Sequence, residues 1–132
     1  DQIDAYILPM YGNGLWDLVW GFVAIDKDLS TVKGAVFAHK GETPGLGARI
    51  TDNLASTGKE TSFQERFKGR QFIENGKFVG LQVLKGEKNV IDDSDKHSID
   101  GLSGASMTTG GLNVMLEDYL RFYSAYFAKV KN

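Results

Sequence analysis

The C-terminal stretch of residues 111–132, GLNVMLEDYLRFYSAYFAKVKN, decides the fold. Its apolar residues recur three and four positions apart, the spacing of one face of an α-helix, and polar residues occupy the other face. The apolar stripe consists of Leu112, Met115, Leu116, Tyr119, Leu120, Tyr123, Tyr126, Phe127 and Val130. The pattern predicts a long terminal helix that begins either at residues 107–109 or only after Gly110 and Gly111.

Upstream of this helix the sequence has the pattern of β-strands. Residues 15–25 and 31–39 are rich in Trp, Val, Phe and Ile, and the short polar stretch between them predicts an antiparallel hairpin. Residues 4–10 predict a further strand ahead of a turn at 12–14. Residues 78–84 alternate loosely and predict another strand.

A short helix is predicted in the middle of the chain. Ser62 and Glu65 have the spacing of a capping box, which predicts a helix through Phe67, whereas the polar residues 51–61 predict a connector. The order of elements indicates an α+β fold with an antiparallel sheet. Because 132 residues are typical of one domain, we expect residues 1–132 to form a single domain with the terminal helix packed on the sheet. The side chains expected to be buried there are Leu112, Leu116, Tyr119, Tyr123 and Phe127.

Composition excludes several classes of function. The chain has no cysteine, so thiolate catalysis, disulfides and iron–sulfur ligation are excluded. Its 15 basic and 17 acidic residues give a net charge of −2, which offers no electrostatic footprint for nucleic acid. With only two histidines, 58 positions apart, we expect no metal site and assign neither histidine a role.

The stretch of residues 100–111, DGLSGASMTTGG, is the strongest candidate for a binding site. Small residues and hydroxyls precede the long helix, and backbone N–H groups at a helix N-terminus form a natural anion cradle. The pattern therefore indicates phosphate binding. The alternative is an elaborate helix cap, because Ser and Thr are preferred at that position.

A serine hydrolase is the enzymatic alternative. Residues 101–105, GLSGA, approach the nucleophile-elbow motif but have Ala105 where the second glycine belongs. His97 precedes the serine, although the histidine follows it in that fold, and the predicted sheet is antiparallel. We expect no catalytic residue.

A second candidate loop lies at residues 42–47, ETPGLG. It lacks the dinucleotide fingerprint, yet the glycines on both sides of Leu46 would let the loop lie flat against a planar ligand. The alternative is a tight structural turn. Trp16 and Trp20 are expected to be half-buried sheet residues. Trp16 follows the loop of residues 12–14, so it could instead face a ligand.

Three motifs in this order, YGNGLW at 11–16, ETPGLG at 42–47 and DGLSGAS at 100–106, resemble the FMN-binding domain of the C subunit of the sodium-translocating NADH:quinone oxidoreductase. A related domain is the G subunit of the Rnf electron-transport complex. The resemblance covers the chain from Tyr11 to the terminal helix. It implies an electron-transfer flavoprotein subunit with FMN attached covalently, through its phosphate, to a hydroxyl side chain.

The resemblance implies particular roles for residues of the three motifs. Ser106 is at the position that a flavin transferase esterifies, where the family usually has threonine, and Thr108 and Thr109 lie close enough to compete. Asp100 is either recognised by the transferase or braces the loop. The implied FMN site comprises Ser106, Ser103, Gly104, Ala105, Thr108, Trp16, Glu42, Thr43, Leu46 and Gly47. We expect Trp16 and residues 42–47 to border the same cavity as residues 103–108.

The resemblance also implies a cellular setting. Members of this family resemble single-span proteins of the bacterial inner membrane, so we expect residues 1–132 to be a fragment that follows its membrane anchor and faces the extracytoplasmic side. The implied partners are the other subunits of the complex and the flavin transferase. The alternatives are an Rnf-type or other FMN-binding domain, and a flavin-free binding or scaffold module.

Overall fold

The computed structural model describes residues 3–131, and the side chains of residues 3–129. Its strands are β1 (Ala5–Asn13), β2 (Leu18–Asp26), β3 (Val32–His39), β4 (Ile73–Glu74), β5 (Lys77–Phe78), β6 (Gln82–Val83) and β7 (Ser98–Ile99). The α-helices are the short α1 (Leu54–Thr57) and the long α2 (Ser106–Lys131), and two 3-10 helices span Gly47–Thr51 and Phe63–Phe67.

An antiparallel meander of β1, β2 and β3 is the main sheet. Alternate residues of each strand face the core, and that face buries Leu8, Met10, Val19, Val23 and Phe37. This alternation follows from the two-residue period of a strand. The predicted hairpin and the α+β fold with an antiparallel sheet are confirmed.

Helix α2 packs its apolar stripe against the sheet, mainly along β1. Leu112, Leu116 and Leu120 are fully buried, as expected for the first two. Tyr119, Tyr123 and Phe127, which were also expected to be buried, are only half-buried because this part of the helix covers the edge of β1. Tyr126 is exposed, and the side chain of Val130 lies outside the described residues.

The start of α2 differs from both predicted positions. The helix begins at Ser106 and continues through Gly110 and Gly111. A side chain on Gly111 would collide with the carbonyl oxygen of Asn13, so the glycine lets the helix cross the end of β1 closely.

The turn predicted at residues 12–14 lies further along the chain. Strand β1 continues to Asn13, and the turn is closed by the Gly14 N–H, which donates to the Asp17 carbonyl at 2.9 Å. Strand β2 then begins at Leu18. Trp16 is therefore a turn residue, and its assignment to the sheet is wrong, whereas Trp20 lies in β2. Both side chains are exposed, and not half-buried as expected.

The predicted capping box at Ser62 and Glu65 is absent from this segment. The Ser62 hydroxyl donates to the Lys59 carbonyl, and the Glu65 carboxylate accepts the Leu54 N–H, so Phe63–Phe67 is a 3-10 helix without a side-chain cap. Asn53 and Ser56 form the capping box instead, and they begin α1 inside the predicted connector.

The predicted strand at residues 78–84 is also interrupted. Gly80 adopts a positive φ of 78°, which ends β5 and separates it from β6. Strand β6 pairs in parallel with β7, which precedes the loop that leads into α2. No helix within residues 3–131 has the length and apolar character that crossing a bilayer requires.

Candidate functional site

The N-terminal turn of α2 is the centre of the candidate site. The Ala105 carbonyl accepts the Thr109 N–H at 3.0 Å, which starts the helical hydrogen-bond pattern. Leu102 and Ala105 are buried and anchor the loop, whereas Ser103, Gly104 and Ser106 are exposed. The loop therefore presents its serines outward on a fixed backbone.

The three hydroxyls of this turn have different environments. Thr108 and Thr109 are each only 2% exposed. The Thr108 hydroxyl donates to a carboxylate oxygen of Glu42, and the Thr109 hydroxyl donates to the Ser106 carbonyl at 3.4 Å. Ser106 is exposed at the first residue of the helix. The structure thus separates one accessible hydroxyl from two buried ones.

Glu42 connects this turn to two other segments. Its carboxylate, in a residue only 3% exposed, accepts the N–H groups of Leu15 and Trp16 at 2.9 Å each, in addition to the Thr108 hydroxyl. The Glu42 N–H donates to Nδ1 of His39 at 3.0 Å. One buried carboxylate therefore joins the turn after β1, the loop after β3 and the start of α2.

The hydrogen bonds to Glu42 keep it ionised. Burial alone raises the pKa of this carboxyl, but the Thr108 hydroxyl and the N–H groups of Trp16 and Leu15 outweigh that effect. The pKa of Glu42 consequently lies below its ordinary value.

Exposed apolar side chains surround the turn. Trp16 is 68% exposed, and its indole N–H donates to the Thr43 hydroxyl at 3.1 Å. Leu46 and Met107 are also exposed, and Leu46 lies directly over Gly104, where a Cβ would be 2.9 Å from its Cδ2. The result is an open apolar surface beside Ser106.

A second carboxylate holds the same loop from the other side. Glu87 accepts both guanidinium N–H groups of Arg49 at 2.8 Å, one from Arg66 at 2.8 Å and the Ser103 N–H at 3.2 Å. Arg66 also donates to the Gly101 carbonyl. The hydrogen bonds from Arg49, with those of Arg66 and Ser103, outweigh burial and hold the pKa of Glu87 far below its ordinary value.

Asp100 braces the beginning of the loop. Its carboxylate accepts the N–H groups of Lys88 and Asn89, at 2.9 and 3.0 Å, and the side-chain amide of Asn89. The predicted bracing role is therefore confirmed. A side chain on Gly101 would collide with the Leu84 carbonyl oxygen, so this close crossing of the two backbones requires glycine after Asp100.

The structure brings the three sequence motifs together, although they lie far apart in the chain. Trp16, Thr43 and Leu46 are on the exposed surface with Ser103, Gly104 and Ser106, whereas Glu42, Gly47, Ala105 and Thr108 lie beneath it. The Nδ1 atom of His97 lies 3.2 Å from Asp95 and 3.8 Å from Glu74, so this edge of the ring faces two carboxylates.

Sequence reasoning missed four residues of this arrangement: His39, Arg49, Arg66 and Glu87. They belong to no common motif, and no spacing connects residues 49, 66 and 87 before the chain folds. A weak signal was available, since an Arg at the end of a glycine-rich loop and a Glu in a Lys-Gly-Glu turn both need partners when they are partly buried.

The family model of the FMN-binding domain matches residues 14–121. The chain belongs to the FMN-binding domain family. The match begins at the turn that Glu42 holds and ends within α2, so it includes the last two motifs in full and the end of the first.

The relatives of this FMN-binding domain are C subunits of the same enzyme complex from different bacteria. The C subunit of the Na(+)-translocating NADH-quinone reductase of Vibrio vulnificus is 33% identical over 134 residues, covering 100% of this chain and 48% of the relative. The same subunit of Neisseria meningitidis is 41% identical over 112 residues, covering 84% of this chain and 38% of the relative. The chain thus spans about half the length of the curated relatives it matches.

Solved structures agree with this assignment. The C subunit from Parabacteroides distasonis has a TM-score of 0.75 at 37% identity, covering 92% of this chain and 54% of that one. The NqrC protein of Shewanella oneidensis has a TM-score of 0.68 at 33% identity, covering 91% of this chain and 48% of that one. The FMN-binding domain therefore shares its α+β fold with these proteins.

Proposed function

We propose that this domain is an electron carrier whose FMN is attached covalently, through its phosphate, to the hydroxyl of Ser106. The observation that carries this proposal is the exposure of Ser106 at the first residue of α2, next to two threonines whose hydroxyls are buried and bonded. Ser103 is exposed as well, but it lies three residues before α2, so its hydroxyl is not at the helix N-terminus, and its N–H already donates to Glu87.

The turn suits a phosphate on Ser106. The first N–H groups of an α-helix have no carbonyl partner within the helix, so they can donate to the phosphate oxygens. Gly104 has no side chain, which lets Leu46 lie directly over it, beside Ser106. The esterification would be a group transfer from a flavin dinucleotide: a bond forms between the Ser106 oxygen and the FMN phosphorus, the bond from that phosphorus to the bridging oxygen breaks, and a nucleoside monophosphate and the serine proton are released.

The apolar surface suits an aromatic ring system. Trp16, Leu46 and Met107 are exposed around Ser106, and Thr43 holds the indole of Trp16. In this proposal those side chains contact the flavin, with Ser103, Gly104 and Ser106 at its phosphate end. Glu42, Gly47, Ala105 and Thr108 support them from below.

The bound FMN would supply reversible uptake and release of electrons, and the protein supplies its position and electrostatic environment. A covalent tether keeps the cofactor on the domain through many cycles. Because the chain lacks the dinucleotide fingerprint, NADH oxidation is assigned to another subunit.

The relatives supply the wider setting. We infer that the domain is part of the C subunit of a bacterial sodium-translocating NADH:quinone oxidoreductase. In that setting the full-length protein is anchored by a single span in the inner membrane, and the FMN-binding domain faces the extracytoplasmic side. Its partners are the other subunits and the flavin transferase. The relatives of 33% to 41% identity support this inference.

Co-expression with a flavin transferase tests the proposal. Intact mass of the parent domain should rise by one FMN less one water, with absorption in the visible range. Ser106→Ala should abolish the mass increase with an unchanged circular dichroism spectrum, Ser106→Thr should keep it, and Ser103→Ala should reduce it.

Peptide mapping identifies the acceptor. The flavin should be found on the peptide that contains Ser106. Flavin on Thr108 or Thr109 would show that the acceptor is misassigned, and a parent domain that never gains flavin would favour a scaffold module.

A further inference from the structure

We propose that Glu42 is the positioning residue of the flavin site: it sets the placement of Trp16 and of the turn that carries Ser106, and its fixed negative charge lowers the reduction potential of the flavin held there. This inference rests on the proposed function and deepens it. Glu42 does not contact the flavin in this account, because only 3% of the residue is exposed.

The carboxylate accepts two donors from the turn that carries Trp16 and one from the turn that carries Ser106. One oxygen accepts the Leu15 N–H and the Thr108 hydroxyl, and the other accepts the Trp16 N–H. Thr108 is two residues after Ser106 on the same helical turn. A displacement of Glu42 therefore moves the apolar surface and the acceptor serine relative to each other.

The packing around Glu42 leaves little room for another arrangement of the carboxylate. A Cβ on Gly14 would lie 2.6 Å from Oε1 of Glu42. A Cβ on Gly47 would lie 3.2 Å from the same oxygen and would collide with the Thr108 hydroxyl. Gly14 and Gly47, from two different loops, thus pack against the carboxylate. This packing explains why the YGNGLW and ETPGLG motifs have glycine at these positions.

The charge of Glu42 is not cancelled by a cation among the hydrogen-bond partners that its carboxylate has within residues 3–129. These partners, two backbone N–H groups and one hydroxyl, are neutral donors, unlike those of Glu87, which include two arginines. A carboxylate held ionised in a water-poor site repels electrons added nearby. The flavin beside Trp16 and Ser106 is consequently harder to reduce than it would be without this charge.

The variant Glu42→Gln tests both parts of the inference. It keeps the size of the side chain but removes the charge, and its amide nitrogen can only donate, so at least one of the three donors loses its acceptor. The flavinylated variant should have a more positive midpoint potential than the parent. The Leu15 and Trp16 amides should exchange faster with deuterium in the flavin-free variant.

A matched control is Glu65→Gln. Glu65 also accepts a backbone N–H, that of Leu54 at 3.0 Å, but it lies on the 3-10 helix Phe63–Phe67. Its variant should leave the midpoint potential and the exchange of the Leu15 and Trp16 amides as in the parent.

A second variant separates the effect of the Thr108–Glu42 hydrogen bond from the effect of the Glu42 charge. Thr108→Val keeps the buried, branched shape of the side chain and the charge of Glu42, but removes the hydroxyl bond. It should slow the transfer of flavin to Ser106, while the midpoint potential stays close to that of the parent. It also tests the positioning role of the Thr108–Glu42 hydrogen bond if Glu42→Gln does not fold.

Three outcomes distinguish a failure of this inference from a failure of the proposed function. A Glu42→Gln domain with the parent potential and the parent exchange rates would overturn the inference, as would a Thr108→Val domain that accepts flavin at the parent rate. If the parent domain gains no flavin, the proposed function fails. Amide exchange in the flavin-free domain then still shows whether Glu42 holds the turn at Leu15 and Trp16.

Discussion

Two glutamates hold the start of α2 from opposite sides, and they do so by different means. Glu42 accepts only neutral donors and is nearly inaccessible, whereas Glu87 binds Arg49 and Arg66 in a cleft where its side chain is 15% exposed. Neutral hydrogen-bond donors hold the pKa of Glu42 below its ordinary value, and within residues 3–129 no cation is hydrogen-bonded to its carboxylate. Glu87 fixes the same loop, but Arg49 and Arg66 offset the negative charge of its carboxylate.

The largest expected effect comes from Leu116→Ala, which removes core packing that holds α2 against the sheet. Leu116 is fully buried in the stripe of α2, so we expect the free energy of unfolding to fall by roughly 2–5 kcal/mol. Urea unfolding measures it. Val114→Ala, at an exposed position of the same helix, should change stability by less than about 0.5 kcal/mol. Equal effects of the two variants would show that α2 is peripheral.

Loss of Glu87 should have the next largest effect. Glu87→Ala removes the carboxylate that Arg49 and Arg66 share and leaves them the longer contacts to Asp52 at 3.9 Å and Asp100 at 4.0 Å, at an expected cost of about 1–3 kcal/mol. The control is Glu117→Ala, which breaks an exposed pair with Arg121 four residues on and should cost about 0.3–0.5 kcal/mol. A cost at Glu87 no greater than at Glu117 would contradict the bracing role.

Acid should weaken both glutamate sites. The pKa of each carboxyl is lower in the folded protein than its ordinary value, so the stability each contributes is present above about pH 4.3 and is lost as pH falls through the folded pKa. Urea unfolding at a series of pH values should therefore show a shallower acid loss for Glu42→Gln and for Glu87→Gln than for the parent. Three parallel curves would argue against ionised carboxylates at these positions.

Salt should distinguish the two glutamates. The range of charge interactions in water shortens from about 10 Å at 0.1 M salt to about 3 Å at 1 M. In double-mutant cycles, the coupling of Arg49 to Glu87 should fall over this interval, because both side chains are partly exposed. The coupling of Thr108 to Glu42 should stay constant. A fall in both couplings would remove the difference between the two sites.

The smallest effect is expected at Thr43. Thr43→Val removes the acceptor of the Trp16 indole N–H, an exposed bond, so stability should change by less than about 0.5 kcal/mol. Acrylamide should quench the tryptophan fluorescence more strongly than in the parent. Thr57→Val, another exposed threonine, should leave the quenching unchanged.

Periodicity predicted the large elements because it reports which face of each is buried. The stripe through Leu112 and Leu116 and the hairpin of β2 and β3 were found in this way. The short elements were predicted less well. The helix predicted through Phe67 is the 3-10 helix Phe63–Phe67 without the expected cap, and α1 was not predicted, because each depends on which nearby polar side chain takes a given N–H group. That competition is decided by tertiary packing.

The sequence motifs predicted which residues of the three loops come together, but not which of them are buried or what holds them in place. Ser106, Leu46 and Trp16 belong to contiguous motifs whose composition is unusual. The burial of Glu42 and Thr108, and the bridge from Arg66 through Glu87 to Ser103, depend on contacts between distant segments. Sequence spacing carries no information about such contacts until the strands and α2 are in place.

The way in which side chains close the edges of the main sheet has a consequence for aggregation. Pro9 removes a backbone donor from the outer edge of β1, and its carbonyl is capped by the Tyr123 hydroxyl at 2.9 Å. On the outer edge of β3, the Phe37 N–H donates to the buried Gln64 side chain. Because unpaired strand edges are templates for adding further strands, these contacts protect concentrated protein from edge-to-edge assembly.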